Sequence, residues 1–130
     1  MSDPVVHFDH AEIDALIPDE GDYRALVRSV RERTSERGNA TIQVVYEVLD
    51  VDPAWDRVSE YFVLSGPNPR ALAISQRRLL SLCRACGLHP QAGEPTHLGA
   101  LIGVGLEIRI GHEIYEQRKR LRVLTHRPRA

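Results

Sequence analysis

Along residues 41–50, TIQVVYEVLD, the apolar residues Ile42, Val44, Tyr46 and Val48 alternate with Thr41, Gln43, Val45 and Glu47. A period of two puts the first set on one face of an extended chain, so this stretch predicts a half-buried strand. The preceding GDYRALVRSVRERT, residues 21–34, interleaves Tyr23, Ala25 and Val27 with Arg24, Leu26 and Arg28 and reads as a long first strand. Between them, SERGN supplies Gly38 and Asn39, which accept positive φ at low cost and close a hairpin. Beyond DVDPAWD, broken by Pro53, the β-branched and aromatic run RVSEYFVLS (57–65) predicts a third strand.

The period then changes. Asn68 stands as N-cap and Pro69 as the first helical residue, and RALAISQRRLLSLCRACG places Leu72, Leu79, Leu80, Cys83 and Cys86 along one side at helical spacing. Gly87 closes the helix. A polar loop leads into LGALIGVGLEIRIGHE, where Val104, Leu106, Ile108 and Ile110 oppose Glu107 and Arg109. The last strand, QRKRLRVLT, sets Lys119, Leu121 and Val123 against Arg118, Arg120 and Arg122, and THRPRA reads as a frayed tail. The order β-β-β-α-β-β is compatible with a mainly β fold, a five-stranded OB-fold barrel with one α-helix between strands 3 and 4. The expected organisation is an acidic leader over residues 1–20, an OB domain over 21–127 and a tail over 128–130.

Composition narrows the chemistry. At 130 residues and 42 % hydrophobic, the chain is long enough for one core without staples. Its two cysteines imply no disulfide framework, and with no second pair to complete a zinc site they read as helix packing. HEIYE (112–116) lacks the second histidine and the helix of H-E-x-x-H, and LGALIGVG lacks the G-K-[ST] of a phosphate loop. No catalytic constellation, metal or cofactor is expected, hence no enzyme. Neither a basic n-region nor a run of about 18 apolar residues occurs, so the expectation is a cytoplasmic protein with no membrane segment.

Charge is divided unevenly. Residues 1–22 hold seven acids (Asp3, Asp9, Glu12, Asp14, Asp19, Glu20, Asp22) and no Lys or Arg, which leaves 17 basic and 11 acidic residues for the remainder. An acidic leader thus precedes a basic body with an excess of six positive charges, and we expect the leader to lie over a basic groove.

Several short runs also carry a resemblance: G-D-Y (Gly21 to Tyr23), S-x-x-G-N (Ser35 to Asn39), E-V-L-D (Glu47 to Asp50), F-V-L-S (Phe62 to Ser65), A-C-G-L (Ala85 to Leu88) and L-I-G (Leu101 to Gly103). In order and spacing, over roughly residues 18–127, the chain resembles a bacteriophage family formerly catalogued as a domain of unknown function and now regarded as single-stranded-DNA-binding proteins of OB fold. It departs from that family in carrying Glu36 and Gly105 where lysines are usual. The resemblance implies sequence-tolerant binding of single-stranded DNA in phage or prophage replication or recombination. The implied partners are single-stranded DNA and phage replication or recombination proteins, with homo-oligomerisation allowed.

Such binding needs cations along the strand and exposed aromatics for base stacking. In an OB fold the face of strands 2 and 3 and the first and last hairpin loops supply them. Tyr61 shares parity with Ser59 rather than with Phe62 and is the exposed candidate, whereas Tyr46 falls on the apolar face. Trp55 and Tyr115 occupy connecting loops, Trp55 equally well as a lid over one end of a barrel. The cationic candidates are Arg24 and Arg28 on the first strand, Arg57 on the third, Arg109 on the fourth, and Arg118, Arg120 and Arg122 on the fifth. Singly, each arginine fits a solvated strand face; the run of three with no acid after Gln117 points to an anionic partner. The alternative function is an OB module that binds a protein of a phage replication or recombination complex and no nucleic acid.

Overall fold

In the computed structural model, which describes residues 2–129, the alternating segments become β1 (Gly21–Thr34), β2 (Ala40–Val48), β3 (Arg57–Val63), β4 (Gly105–Tyr115) and β5 (Arg118–Pro128). Met1 and Ala130, the outermost residues of the expected leader and tail, lie outside the described residues. The described strands pair antiparallel in the order β3-β2-β1-β4-β5. The length of β1 lets it organise the sheet: Gly21 to Leu26 pair with β4, and Ala25 to Thr34 pair with β2. The sheet is open, and β3 and β5 are its edges.

Alternation decides what each strand buries. Ile42, Val44, Tyr46 and Val48 of β2 meet Val58 and Phe62 of β3 and Leu106, Ile108 and Ile110 of β4 in one core. Tyr46 is fully buried, as its parity predicts. Each such side chain contributes roughly 1.5–3 kcal/mol by leaving water.

The helix α2 (Pro69–Ala85) starts where expected: Asn68 Oδ1 accepts hydrogen bonds from the backbone N–H groups of Arg70 and Ala71, and Pro69 follows. It ends at Gly87, whose φ of 82° suits a residue without a side chain. Its buried side corrects the expected stripe. Leu82, Cys83 and Ala85 are buried, and Leu79 and Cys86 pack half-buried against the core as expected, while Leu72 and Leu80 are half-buried without joining it. The reason is polar: the face turned to the sheet also carries Ser75 and Arg78, which bond the free edges. Ser75 Oγ accepts from Val63 N of β3 at 3.1 Å, and Arg78 donates to Val123 O of β5 at 3.0 Å.

The expected tail is corrected as well. β5 runs through Pro128, which pairs with Leu106, because a register shift between Arg109 and Ile110 leaves Leu124 as an extra residue. The bulge reverses the parity, so that Val123 and His126 both point inward. Gly111 permits this arrangement; a Cβ there would lie 2.9 Å from Leu124 Cδ1 and 3.1 Å from Glu20 Oε2. The leader contributes a short helix, α1 (His10–Asp14), and reaches the sheet through Ile17 and through Pro18 O, 2.6 Å from His112 Nε2.

Where the two edges approach, a polar cluster replaces the ladder. Glu60 of β3, 7 % exposed, accepts from Tyr46 Oη at 2.7 Å, from His126 Nε2 of β5 at 2.7 Å, and from Arg78 of α2. Burial pushes the Glu60 carboxyl up, but the donors from His126, Tyr46 and Arg78 outweigh it, so its pKa lies below the ordinary carboxylate range. Burial, with Glu60 as neighbour, raises the Tyr46 hydroxyl and keeps it a donor.

A carboxyl whose pKa is depressed by folding stabilises above its unfolded value near 4.5 and loses that contribution as the pH falls through the lower folded value. Glu60→Ala, which strands three donors, is expected to cost about 3 kcal/mol in urea unfolding at pH 7. The variant should also lose part of the acid-induced destabilisation below about pH 4.5. A loss under about 0.5 kcal/mol, as at ordinary surface sites, contradicts this account of the seam.

Candidate functional site

A groove of about 470 Å³ runs along the seam between the β3 and β5 edges. The outward row of β3 supplies Arg57, Ser59 and Tyr61, β5 supplies Arg120 and Arg122, and Trp55 comes from the short 3-10 turn ahead of β3. Glu60, Arg78, Leu121 and Val123 also line it. Strands alternate their side chains, so Arg57, Ser59 and Tyr61 face outward between the buried Val58, Glu60 and Phe62.

Tyr61 is 59 % exposed and its hydroxyl lies 3.1 Å from Gln43 Nε2, which donates to it. Gln43 Oε1 in turn accepts from Arg33 Nε at 2.6 Å. The register Arg31–Gln43–Tyr61 therefore places Arg31 and Arg33 on the same outward face. Sequence reasoning missed both. In a uniform strand they share the parity of Ala25 and Val27, but a shift between Val27 and Ser29 leaves Arg28 as the extra residue and turns them outward.

The expected residues divide into two groups. Trp55, Arg57, Tyr61, Arg120 and Arg122 share the groove. Trp55 is half-buried and packs on the core while also lining the groove. Tyr115 adjoins the groove, with the Arg120 guanidinium 4.0 Å from its ring centroid. The others lie elsewhere. Arg24 pairs with Asp50 at 2.8 Å, Arg28 is exposed on the β1 bulge, and Arg109 lies 3.6 Å from Asp22. Arg118 binds Asp14 of α1 at 2.8 Å, and this guanidinium holds the Asp14 carboxyl below the usual carboxylate range. The leader thus meets the arginine strand at its first residue.

Charge in the groove is only partly matched. Arg57 pairs with Glu47 at 3.0 Å and Arg120 with Glu113 at 2.5 Å, whereas Arg122 has no ion pair among the described residues. Exposed pairs of this kind are worth about 0–1 kcal/mol, so an incoming phosphate can displace the carboxylates at low cost. Arginine suits that exchange, because its planar fork meets phosphate with two parallel hydrogen bonds.

Among the described residues no three His, Cys, Asp or Glu side chains gather as a metal site. Cys83 is buried and Cys86 half-buried. Burial raises the Cys83 thiol and pushes that of Cys86 up to about 11. Both are neutral thiols at pH 8, so alkylation of the native protein should be slow there and should accelerate on unfolding. Rapid native labelling of both residues, followed by mass spectrometry, contradicts their role as core packing.

The chain belongs to a family of proteins of unknown function, DUF669, whose model matches residues 6–98. That span holds β1 to β3 and α2, and so the Trp55–Tyr61 side of the groove; the Arg120–Arg122 side lies beyond it. No curated protein matches the chain.

Proposed function

We propose that this protein binds single-stranded DNA without sequence preference and without catalysing a reaction, the strand lying in the groove between β3 and β5. One observation carries the reading: two aromatic rings, Trp55 and Tyr61, share a groove with Arg57, Arg120 and Arg122. Rings offer a stacking surface to any base, at about 1–3 kcal/mol each, and the arginines take the phosphates. Arg31, Arg33 and Gln43 extend the polar surface across β1 and β2 beside Tyr61.

We read the strand order, with α2 between β3 and β4 lying across the two edges, as an OB-type barrel left partly open at the seam. The phage or prophage setting, with action in replication or recombination inside the host cytoplasm, follows from the family resemblance of the sequence. No helix among the described residues is long and apolar enough to cross a membrane. The rival reading, a module that binds a replication or recombination protein, draws on the exposed Val5, Val6 and Phe8 of the leader.

Trp55 is the chain's one tryptophan, so its fluorescence reports on the groove. Titration with oligothymidine at two salt concentrations should show binding that weakens steeply with salt, through counterion release. Tyr61→Ala should cost about 1–3 kcal/mol with little change in the salt slope. Arg122→Gln should reduce that slope by about 0.7. Absence of binding at low salt sinks the single-strand reading in favour of the interaction module, and equal affinity for duplex removes the strand preference.

The leader offers a separate test. Removing residues 1–17 frees Arg118 from Asp14 and deletes four acids, and affinity at low salt is expected to rise. An unchanged affinity means that the leader does not compete with DNA.

A further inference from the structure

We infer that the bound strand leaves the groove past Arg78 and continues along a furrow between β5 and α2, where Arg77 and Arg84 take further phosphates. This rests on the single-strand reading above. Two depressions, about 310 and 410 Å³, follow the groove in sequence along β5. The groove and the first depression share Arg78, and the two depressions share Arg77, Ser81 and His126, so the three form one path.

The charge of α2 points to the occupant. Its 17 residues include Arg70, Arg77, Arg78 and Arg84 and no Asp or Glu. Soluble surfaces ordinarily intersperse both signs. Arg78 is engaged by Glu60, but Arg70, Arg77 and Arg84 are exposed and have no ion pair among the described residues. Spacings of seven put these three on one stripe of the helix, about 10.5 Å apart, with a drift of only about 20° per step. No acid lines either depression, while Ser81 and Thr125 offer hydroxyl groups and Leu124 and Pro128 offer apolar surface. A polyanion with apolar faces matches this lining, and the path already carries one at its groove end.

The experiment uses the full chain with Arg77→Gln and Arg84→Gln combined. Both sites are exposed, and glutamine has nearly the helix propensity of arginine, so the fold is retained. Oligothymidines of about 6 and about 15 nucleotides distinguish the groove alone from groove plus furrow. The double variant should bind the short oligomer as the parent does. It should bind the long one more weakly, with a salt slope smaller by about 1.4. An unchanged slope and affinity on the long oligomer, or an equal loss on both lengths, overturns the furrow and leaves the groove reading intact. Failure of the parent chain to bind either oligomer at low salt overturns both.

Discussion

The carboxylate of Glu60 is the constraint on which the rest of the molecule depends. β3 and β5 are edge strands, and unpaired edges invite association with other chains. Main-chain pairing would bring them to about 4.8 Å and leave no room between them. Here one buried side chain is shared by β2, β5 and α2 through Tyr46, His126 and Arg78. An ionised group in that place is tolerable only because each neighbour donates to it. The edges are thereby held close without being zipped, and the space left between their outward rows is the groove. Stability and the candidate site draw on the same atoms.

This explains why α2 is not a simple amphipathic helix. A helix whose task is only to cover a core presents an apolar stripe. The stripe of α2 is interrupted by Ser75 and Arg78, at the two points where it must satisfy backbone groups that a neighbouring strand would otherwise take. Apolar burial is concentrated in its last turns, at Leu82, Cys83 and Ala85.

What could be read in the sequence follows from the same physics. Periods of two and the Asn68–Pro69 start were legible because they express local geometry, and parity alone separated exposed Tyr61 from buried Phe62 and Tyr46. Two single-residue bulges were not legible. The one at Arg28 turns Arg31 and Arg33 outward, and the one at Leu124 turns His126 inward, each by reversing parity part-way along a strand. The Glu60 cluster was hidden for a different reason: its members lie 14 to 66 residues from Glu60 in the chain, and no local pattern marks them. Of the expected cations, those in the groove come from β3 and from the first half of β5, ahead of its bulge, where alternation held.

Counting arginines overstated some of them and overlooked others, because what matters is where the acids fall. Asp22 of β1 lies against Arg109 and Arg127, and Asp14 of the leader against Arg118, so these two acids offset arginines of the β4–β5 hairpin. Arg122 is four residues further along β5 than Arg118, about 13 Å at strand spacing. That exceeds the Debye length of about 8 Å at physiological ionic strength, so Asp14 at its anchored position does little to the potential at Arg122. The anchored half of the leader therefore shapes the field without filling the groove. Of the acids ahead of α1, Asp9 is held as the helix N-cap, its carboxylate accepting from the Glu12 backbone N–H at 3.2 Å, so it too is spent on a local contact rather than on the groove arginines.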